Sequence, residues 1–334
     1  MNKFKKISSK FLVFGLPIVL VGTLLVAYIV GTNKKNNDDN KVNAPVNGET
    51  NYVKRKIYLK NEQGLLVPLS INIEPLEERI DEIKLLISKL KNNIEVQEGY
   101  KGLLDQDVEL LNVKLEDSKL TLDFNESFNK YEKEDEIRII ESLVWTCSQY
   151  RDISQIKILV NGVELTKMPV GNCPIPKVLD SGFGINNHVF MPKNDKENIT
   201  VYYEDVTSKE LVYVPVTLRV DSNNNKIESI VNALDSSIPT YTNLKKAKVL
   251  DRIEFNELPS VLNDVLNIDL TASSLVDETT VDKDVYEYLV MSFRDNLQTI
   301  ESVNILIQDE IMSVNGYKDE IIPVTSVYEN IIEI

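Results

Sequence analysis

A segment of about 105–110 residues occurs twice in this chain, and that duplication limits the architectures open to it more than any other feature. The stretch 56–162 recurs as 200–307, with an offset of about 147 residues. Val67-Pro68 returns as Val214-Pro215, and Ile80, Ile83 and Ile87 return as Ile227, Ile230 and Leu234. Leu122-Asp123-Phe124 returns as Ile268-Asp269-Leu270, and Leu143-Val144-Trp145-Thr146 as Leu289-Val290-Met291-Ser292. Ile156-Lys157-Ile158 returns as Val303-Asn304-Ile305. Solenoid units run about 20–50 residues, so a period this long describes a whole small domain copied once. Copying a domain copies its surface, which favours binding and assembly over a single catalytic pocket.

Each copy predicts the same element order. Two β-type runs, Lys56–Leu59 and Leu65–Ile73, flank the turn residues Asn61-Glu62-Gln63-Gly64 and form a hairpin. Their second-copy counterparts are Ile199–Tyr203 and Leu211–Val220. Glu74-Pro75 then opens an amphipathic helix with Ile80, Ile83, Leu86, Ile87 and Leu90 at helical spacing. Strands follow at 108–114 and 119–125, with 248–255 and 265–270 as their counterparts. A second helix covers about 133–150 in the first copy and 280–297 in the second. The unit closes on the strand 155–160 before the turn dipeptide Asn161-Gly162. Hairpin, helix, two strands, helix and strand make an α+β unit with two helices on a small mixed sheet.

Phe11–Val30 is a run of twenty uncharged residues, long enough at about 1.5 Å per residue to cross a bilayer core of about 30 Å. Lys3, Lys5, Lys6 and Lys10 precede it, while Lys34 and Lys35 are soon offset by Asp38 and Asp39. The positive-inside bias keeps the amino terminus in the cytoplasm and exports the rest. The run exceeds the usual apolar length of a signal peptide, and Ala27-Tyr28-Ile29 puts bulk where cleavage needs small residues. The expected organisation is a cytoplasmic stub (1–10), a transmembrane anchor (11–30), a flexible tether (31–53), a first domain (54–162), a Pro/Gly-rich connector (163–197), a second domain (198–313) and a carboxy-terminal extension (314–334). Apolar residues in the connector, among them Val178 and Leu179, indicate that it packs along the domains. The extension is expected to add a strand.

The chemistry carried by the chain is sparse. A net charge of −15 argues against nucleic acid, whose phosphates need a basic face. Two cysteines and one histidine supply no four-ligand zinc spacing, and neither a metal nor a cofactor is expected. Cys147 falls in the second helix and Cys173 in the connector; whether they bond is open at this point. His188, in the connector, has no nucleophile-elbow motif to serve, and no phosphate-cradling glycine loop is present. Asp123 and Asp269 are the best-marked candidates for paired carboxylates. They occupy equivalent positions in different copies, which suits a structural role at a strand end. No catalytic residue is assigned. Trp145, the one tryptophan, is matched by Met291 and is either a core residue or the candidate interface residue.

The strand pair carrying Val67-Pro68, the Leu120-Thr121-Leu122-Asp123-Phe124 strand, the helix with Leu143-Val144-Trp145-Thr146 and the closing strand before Asn161-Gly162 together resemble the GerMN domain, here in tandem. This GerM-like family of sporulation and spore-germination proteins implies a non-enzymatic role in assembly between two membranes, through domains similar to the ring-building motifs of secretion systems. No cysteine lies near the end of the apolar run, so a transmembrane anchor stands where some family members carry lipid. The resulting expectation is a single-pass, extracytoplasmic scaffold, lying on the outer forespore membrane in a spore former. Its expected partners are the membrane, envelope proteins and copies of itself. The second expectation is an envelope module that binds cell-wall glycan or peptide; a cell-wall hydrolase is the third.

Overall fold

The computed structural model describes residues 52–94, 96–187, 196–222, 225–236, 243–319 and 321–332. The first repeat opens on the antiparallel pair β1 (Val53–Asn61) and β2 (Leu66–Ile73), with Lys60 opposite Leu66. Their turn is built by Asn61, whose side-chain oxygen accepts the N–H groups of Gln63 and Leu65 at 3.1 and 2.9 Å. Gly64 completes it at φ +80°, where a Cβ would strain the backbone. The helix α1 (Arg79–Ser88) follows, burying Ile83, Leu86 and Ile87. The short strand β3 (Tyr100–Lys101) pairs with the end of β1, giving the order β2-β1-β3.

The hairpin forms its own sheet, separate from the one that completes the repeat. That second sheet runs β4 (Leu110–Glu116), β5 (Lys119–Phe124), β6 (Gln155–Val160) and β7 (Val163–Glu164), in that order. β5 and β6 are parallel, as they must be when the helix α2 (Glu136–Cys147) crosses over between them. Every residue of α2 from Ile139 to Cys147 is buried, so apolar partners lie on more than one side of it. On the hairpin side, Ser142 Oγ donates to Tyr58 O at 2.7 Å and Tyr58 N donates to Thr146 Oγ1 at 3.3 Å. On the other side, Leu120, Leu122, Phe124, Ile156 and Ile158 supply buried alternate positions of β5 and β6.

The second repeat follows the same plan. Its hairpin is β8 (Lys196–Asp205) with β9 (Tyr213–Asp221), then α3 (Lys226–Leu234), whose first N–H groups are capped by the Asn225 side chain. The strand β10 (Leu244–Lys246) pairs with β8. The mixed sheet comprises β11 (Ser260–Leu262), β12 (Val265–Asp269), β14 (Ser302–Ile307) and β15 (Glu310–Ile311). Between β12 and β14 lie β13 (Thr280–Val281) and α4 (Lys283–Arg294); β13 pairs in parallel with β16 (Ser313–Val314).

One strand differs from its sequence assignment. The run 248–255 is a 3-10 turn over Lys248–Arg252, and the partner of β12 is β11 instead. All three residues of β11 are exposed, so this edge strand carries no buried alternation, whereas the buried Val249 and Ile253 imitate one. The turn chemistry marks the true hairpin. Asn263 and Asp264 sit at φ 50° and 62°, matching Asp117 and Ser118 at 48° and 60° in the first repeat.

Residues 163–187 pack along the repeats, burying Met168, Leu179 and Ile185, while Val178, which the sequence also suggested for this packing, is exposed. The carboxy-terminal segment adds a 3-10 turn (Val324–Ser326) and a single bridge from Ile331 to Ser70, not a full strand. Both repeats and these two segments form one compact unit around one contiguous apolar core. The apolar run 11–30, with the stub and nearly all of the tether, lies outside the described residues. Among the described residues no helix is long and apolar enough to cross a membrane.

Gly102 lies where the loop after α1 returns to the helix end. A Cβ there would sit 2.3 Å from Leu90 O and 2.4 Å from Lys91 O, both backbone atoms with no freedom to yield. Gly102→Ala is expected to destabilise the unit by about 1–3 kcal/mol, read as a lower midpoint in urea unfolding.

Candidate functional site at the junction between the repeats

Two asparagines join the repeats. Asn186 accepts Leu66 N at 2.8 Å and donates to Leu66 O at 2.7 Å and to Pro215 O at 2.8 Å. Asn330 accepts Tyr213 N at 2.8 Å and donates to Tyr213 O and Pro68 O, each at 2.8 Å. Leu66 and Tyr213 are equivalent positions, as are Pro68 and Pro215. Each asparagine therefore grips one edge strand by a backbone N–H and C=O, and reaches the proline carbonyl of the other. Prolines are tolerated on β2 and β9 because both are edge strands. Both asparagines sit in the left-handed region, at φ 53° and 43°, which this residue type tolerates better than most.

The chain on either side of each asparagine crosses to the opposite repeat. Thr217 N donates to Ile185 O at 2.9 Å, and Ile185 N donates to Thr217 Oγ1 at 2.8 Å, so the segment following the first repeat lies along β9. Ser70 N donates to Asn330 O at 3.2 Å and Ile332 N to Ser70 O at 3.1 Å, so the segment following the second repeat lies along β2. Trp145 anchors the first crossing. Its indole N–H donates to Gly184 O at 2.9 Å, its ring tilts against Tyr58 at 5.8 Å, and it is 5% exposed.

Arg294 anchors the second crossing, donating to the carbonyls of Val324 and Val327 at 3.1 and 2.8 Å. It also pairs with Asp295 and Glu329, while Lys56 reaches Glu329 at 3.4 Å and Tyr202 OH donates to both acids. The Glu329 side chain is fully shielded. Burial alone would pull the Arg294 guanidinium down, but the charges of Glu329 and Asp295 outweigh it and hold it firmly protonated. Burial likewise opposes ionisation of Asp295; Lys56, Arg294 and the Tyr202 hydroxyl more than offset that and lower its pKa. The group is a buried charge network spanning both repeats and the carboxy-terminal segment, in which Glu329 Oε2 alone has no hydrogen-bond partner among the described residues.

Glu141 is the exception to this matching of charges. Its carboxyl is fully buried, accepts Asn186 N at 3.3 Å, and is pushed by burial up to about 8. Its neutral form is thus favoured in the folded chain. Because the folded value lies above the unfolded one, the stability it contributes is complete below the ordinary carboxylate range and is lost as pH rises towards 8.

The other residues singled out in the sequence do not converge. Asp123 accepts Gly162 N at 2.9 Å and closes a turn; Asp269 accepts from Asn256 Nδ2 at 3.0 Å in the other repeat. Cys147 and Cys173 are free thiols, and burial pushes Cys147 up to about 12. His188 lies outside the described residues. Among those described, no cluster of three or more His, Cys, Asp or Glu is placed to hold a metal.

Duplicated α+β units, fastened to each other through reciprocal segments, define a tandem-domain protein. Residues 56–166, the first repeat, match the family model Germane, described as sporulation and spore germination. It is 27% identical over 300 residues to the spore germination protein GerM of Bacillus subtilis strain 168, covering 85% of this chain and 80% of that one. The solved tandem GerMN domains of the sporulation protein GerM from Bacillus subtilis share the fold with a TM-score of 0.71 at 24% identity. That likeness covers 83% of this chain and 99% of the solved one.

Asn186→Ala and Asn330→Ala are each expected to cost about 1–3 kcal/mol, because each leaves buried backbone groups unpaired. A double-mutant cycle in urea should show coupling between them, since both act on the same strand pair. Glu141→Gln is expected to flatten the fall in melting temperature between about pH 5 and pH 8 that the wild-type carboxyl produces, measured by thermal unfolding across that range.

Proposed function

We propose that this chain is a membrane-anchored, extracytoplasmic scaffold of sporulation or germination that acts by contact and not by catalysis. The observation that carries the reading is the reciprocal crossing at Asn186 and Asn330. It turns two copies of one domain into a single body that presents the same mixed sheet twice. Each of those sheets has a helix on one face and half-exposed polar residues on the other, Thr121 and Lys157 in the first repeat, Asn267 and Asn304 in the second. Each also ends in an edge strand with exposed apolar residues, Leu111 in β4 and Leu262 in β11. Unpaired edges and duplicated faces are the features through which β-containing domains add partners or further copies. The names of the relatives, a spore germination protein and a sporulation protein, support the setting. The apolar run 11–30 supports attachment to a membrane, with envelope proteins or further copies of the chain as partners.

A second reading, an envelope module that binds a soluble or wall-borne ligand, is favoured by one observation. A groove of about 670 Å³ lies beside the junction.

The full chain, extracted in neutral detergent, is expected to form concentration-dependent oligomers by light scattering or to co-purify with envelope proteins after cross-linking in cells. A strictly monomeric chain that captures no envelope protein, or one that releases soluble fragments from cell walls, would overturn the scaffold. The expected fractionation is with membranes, and recovery of the full-length chain in the soluble fraction of lysed cells would overturn the anchor.

A further inference from the structure

Seven arginines occur in this chain, and four of them line one groove. The groove beside the junction is walled by Lys54, Arg55, Lys56, Arg79, Arg151 and Arg294, against only Asp152 and Asp295 among its acidic lining residues. This concentration of cations occurs in a chain with 52 acidic and 37 basic residues. Chance placement on so acidic a protein would favour the opposite sign.

These cations divide by what already holds them. Lys56 and Arg294 are committed to Glu329 and Asp295 in the network described above. Arg55 binds Glu82 at 2.7 Å, yet its Nε is buried with no hydrogen-bond acceptor among the described residues. Arg79 is the least committed of the arginines. Its guanidinium lies over the Tyr150 ring at 4.1 Å, and its nearest carboxylates, Glu82 and Asp152, are 3.9 and 3.8 Å away. Those separations give Coulomb attraction without a hydrogen bond. Stacking fixes the plane of the guanidinium and leaves its N–H edge to a ligand. Lys54 is seated similarly, 5.6 Å from the centre of the Tyr328 ring. Arg151 sits at the rim, with its side chain 41% exposed, and donates to Ile300 O and to the exposed Glu301 carboxylate at 3.2 Å, which a ligand carboxylate would have to displace.

From this arrangement we infer that the groove is a binding site for a carboxylate-bearing peptide, an acidic segment of a protein partner. The planar fork of Arg79 suits a carboxylate, which it can engage through two parallel hydrogen bonds, and Arg151 adds a cation at the rim. Tyr150 is buried with Arg79 and Arg55 against its ring, and Lys54 lies over Tyr328, so cations front the aromatic rings of this groove wall. Ser148, Ser154 and Thr325 on the lining supply hydroxyls for a peptide backbone. The volume falls within the range of sites that enclose a compact ligand, about 300–1,000 Å³. The site rests on its own residues and not on the scaffold reading, which it extends by naming the chemistry of one partner.

The test uses the full chain in neutral detergent and fluorescein-labelled hexaglutamate, followed by anisotropy. Saturable binding that weakens with added salt is expected, with competition by unlabelled hexaglutamate and not by hexalysine. Arg79→Ala combined with Arg151→Ala should weaken binding by about tenfold or more, while Lys114→Ala, on the mixed sheet, should leave it unchanged. Arg79→Lys keeps the charge and loses the fork; it should still bind several-fold more weakly, and it serves if the double variant does not fold. Equal binding by wild type and folded variants overturns the site. Stronger binding of hexagalacturonate or of inorganic phosphate than of hexaglutamate overturns the peptide assignment. Oligomerisation and envelope-protein capture are measured separately, so failure here leaves the scaffold reading standing.

Discussion

The architecture depends on two side-chain amides completing hydrogen bonds that neither repeat can complete alone. An edge strand presents backbone donors and acceptors at a spacing only a few groups can match. A primary amide is one, since it offers an acceptor and two donors in a plane. Asn186 and Asn330 use that geometry in the same way on opposite strands, and each spends its remaining donor on the partner repeat's proline carbonyl. Proline cannot donate to a ladder, so a carbonyl beside it on an edge strand is open to such a reach. The residues that make each strand a poor template for unrelated pairing thus help specify the intended one.

Packing and charge then make the junction costly to undo. Trp145 and Arg294 hold the two crossing segments by the same device, a side chain donating to backbone carbonyls of the segment. One is apolar and tilted against Tyr58; the other is charged and needs Glu329 and Asp295 to offset its burial. Removing one partner from such a network leaves a charge without compensation, a loss of about 3–5 kcal/mol. Glu141 goes the other way, sitting buried close to Asn186 with a raised pKa. The first crossing therefore loses stability as pH rises from the carboxylate range towards 8.

Much of the fold was legible in the chain because its signals are local. Ile83, Leu86 and Ile87 at helical spacing, and Leu120, Leu122 and Phe124 in alternation, are buried where their periodicity puts them. The strand 155–160 has the same limits in sequence and structure. The misplaced strand at 248–255 failed for a physical reason: β11 is exposed throughout, so nothing in its hydrophobic pattern distinguishes it from a loop. Its only mark was the Asn263-Asp264 turn, which parallels Asp117-Ser118. The junction was less legible still. Asn186 and Asn330 do recur at nearly the repeat offset, but they lie in stretches assigned to a connector and an extension. Glu141 was hidden for the opposite reason, because a lone carboxylate on an apolar helix reads as a solvated position.

Amino-acid order alone established a duplicated α+β unit, the order of its helices and strands, and its resemblance to a recognisable domain type. Those properties follow from periodicity and turn chemistry, which act over a few residues. Tertiary structure decided that the hairpins form sheets of their own, that each trailing segment crosses to the other repeat, and that four arginines meet in one groove. These outcomes depend on groups as far apart as Pro68 and Asn330 competing for the same backbone atoms and the same buried space. No local pattern encodes which partner wins that competition, because the choice is made by geometry only once both copies have folded against each other.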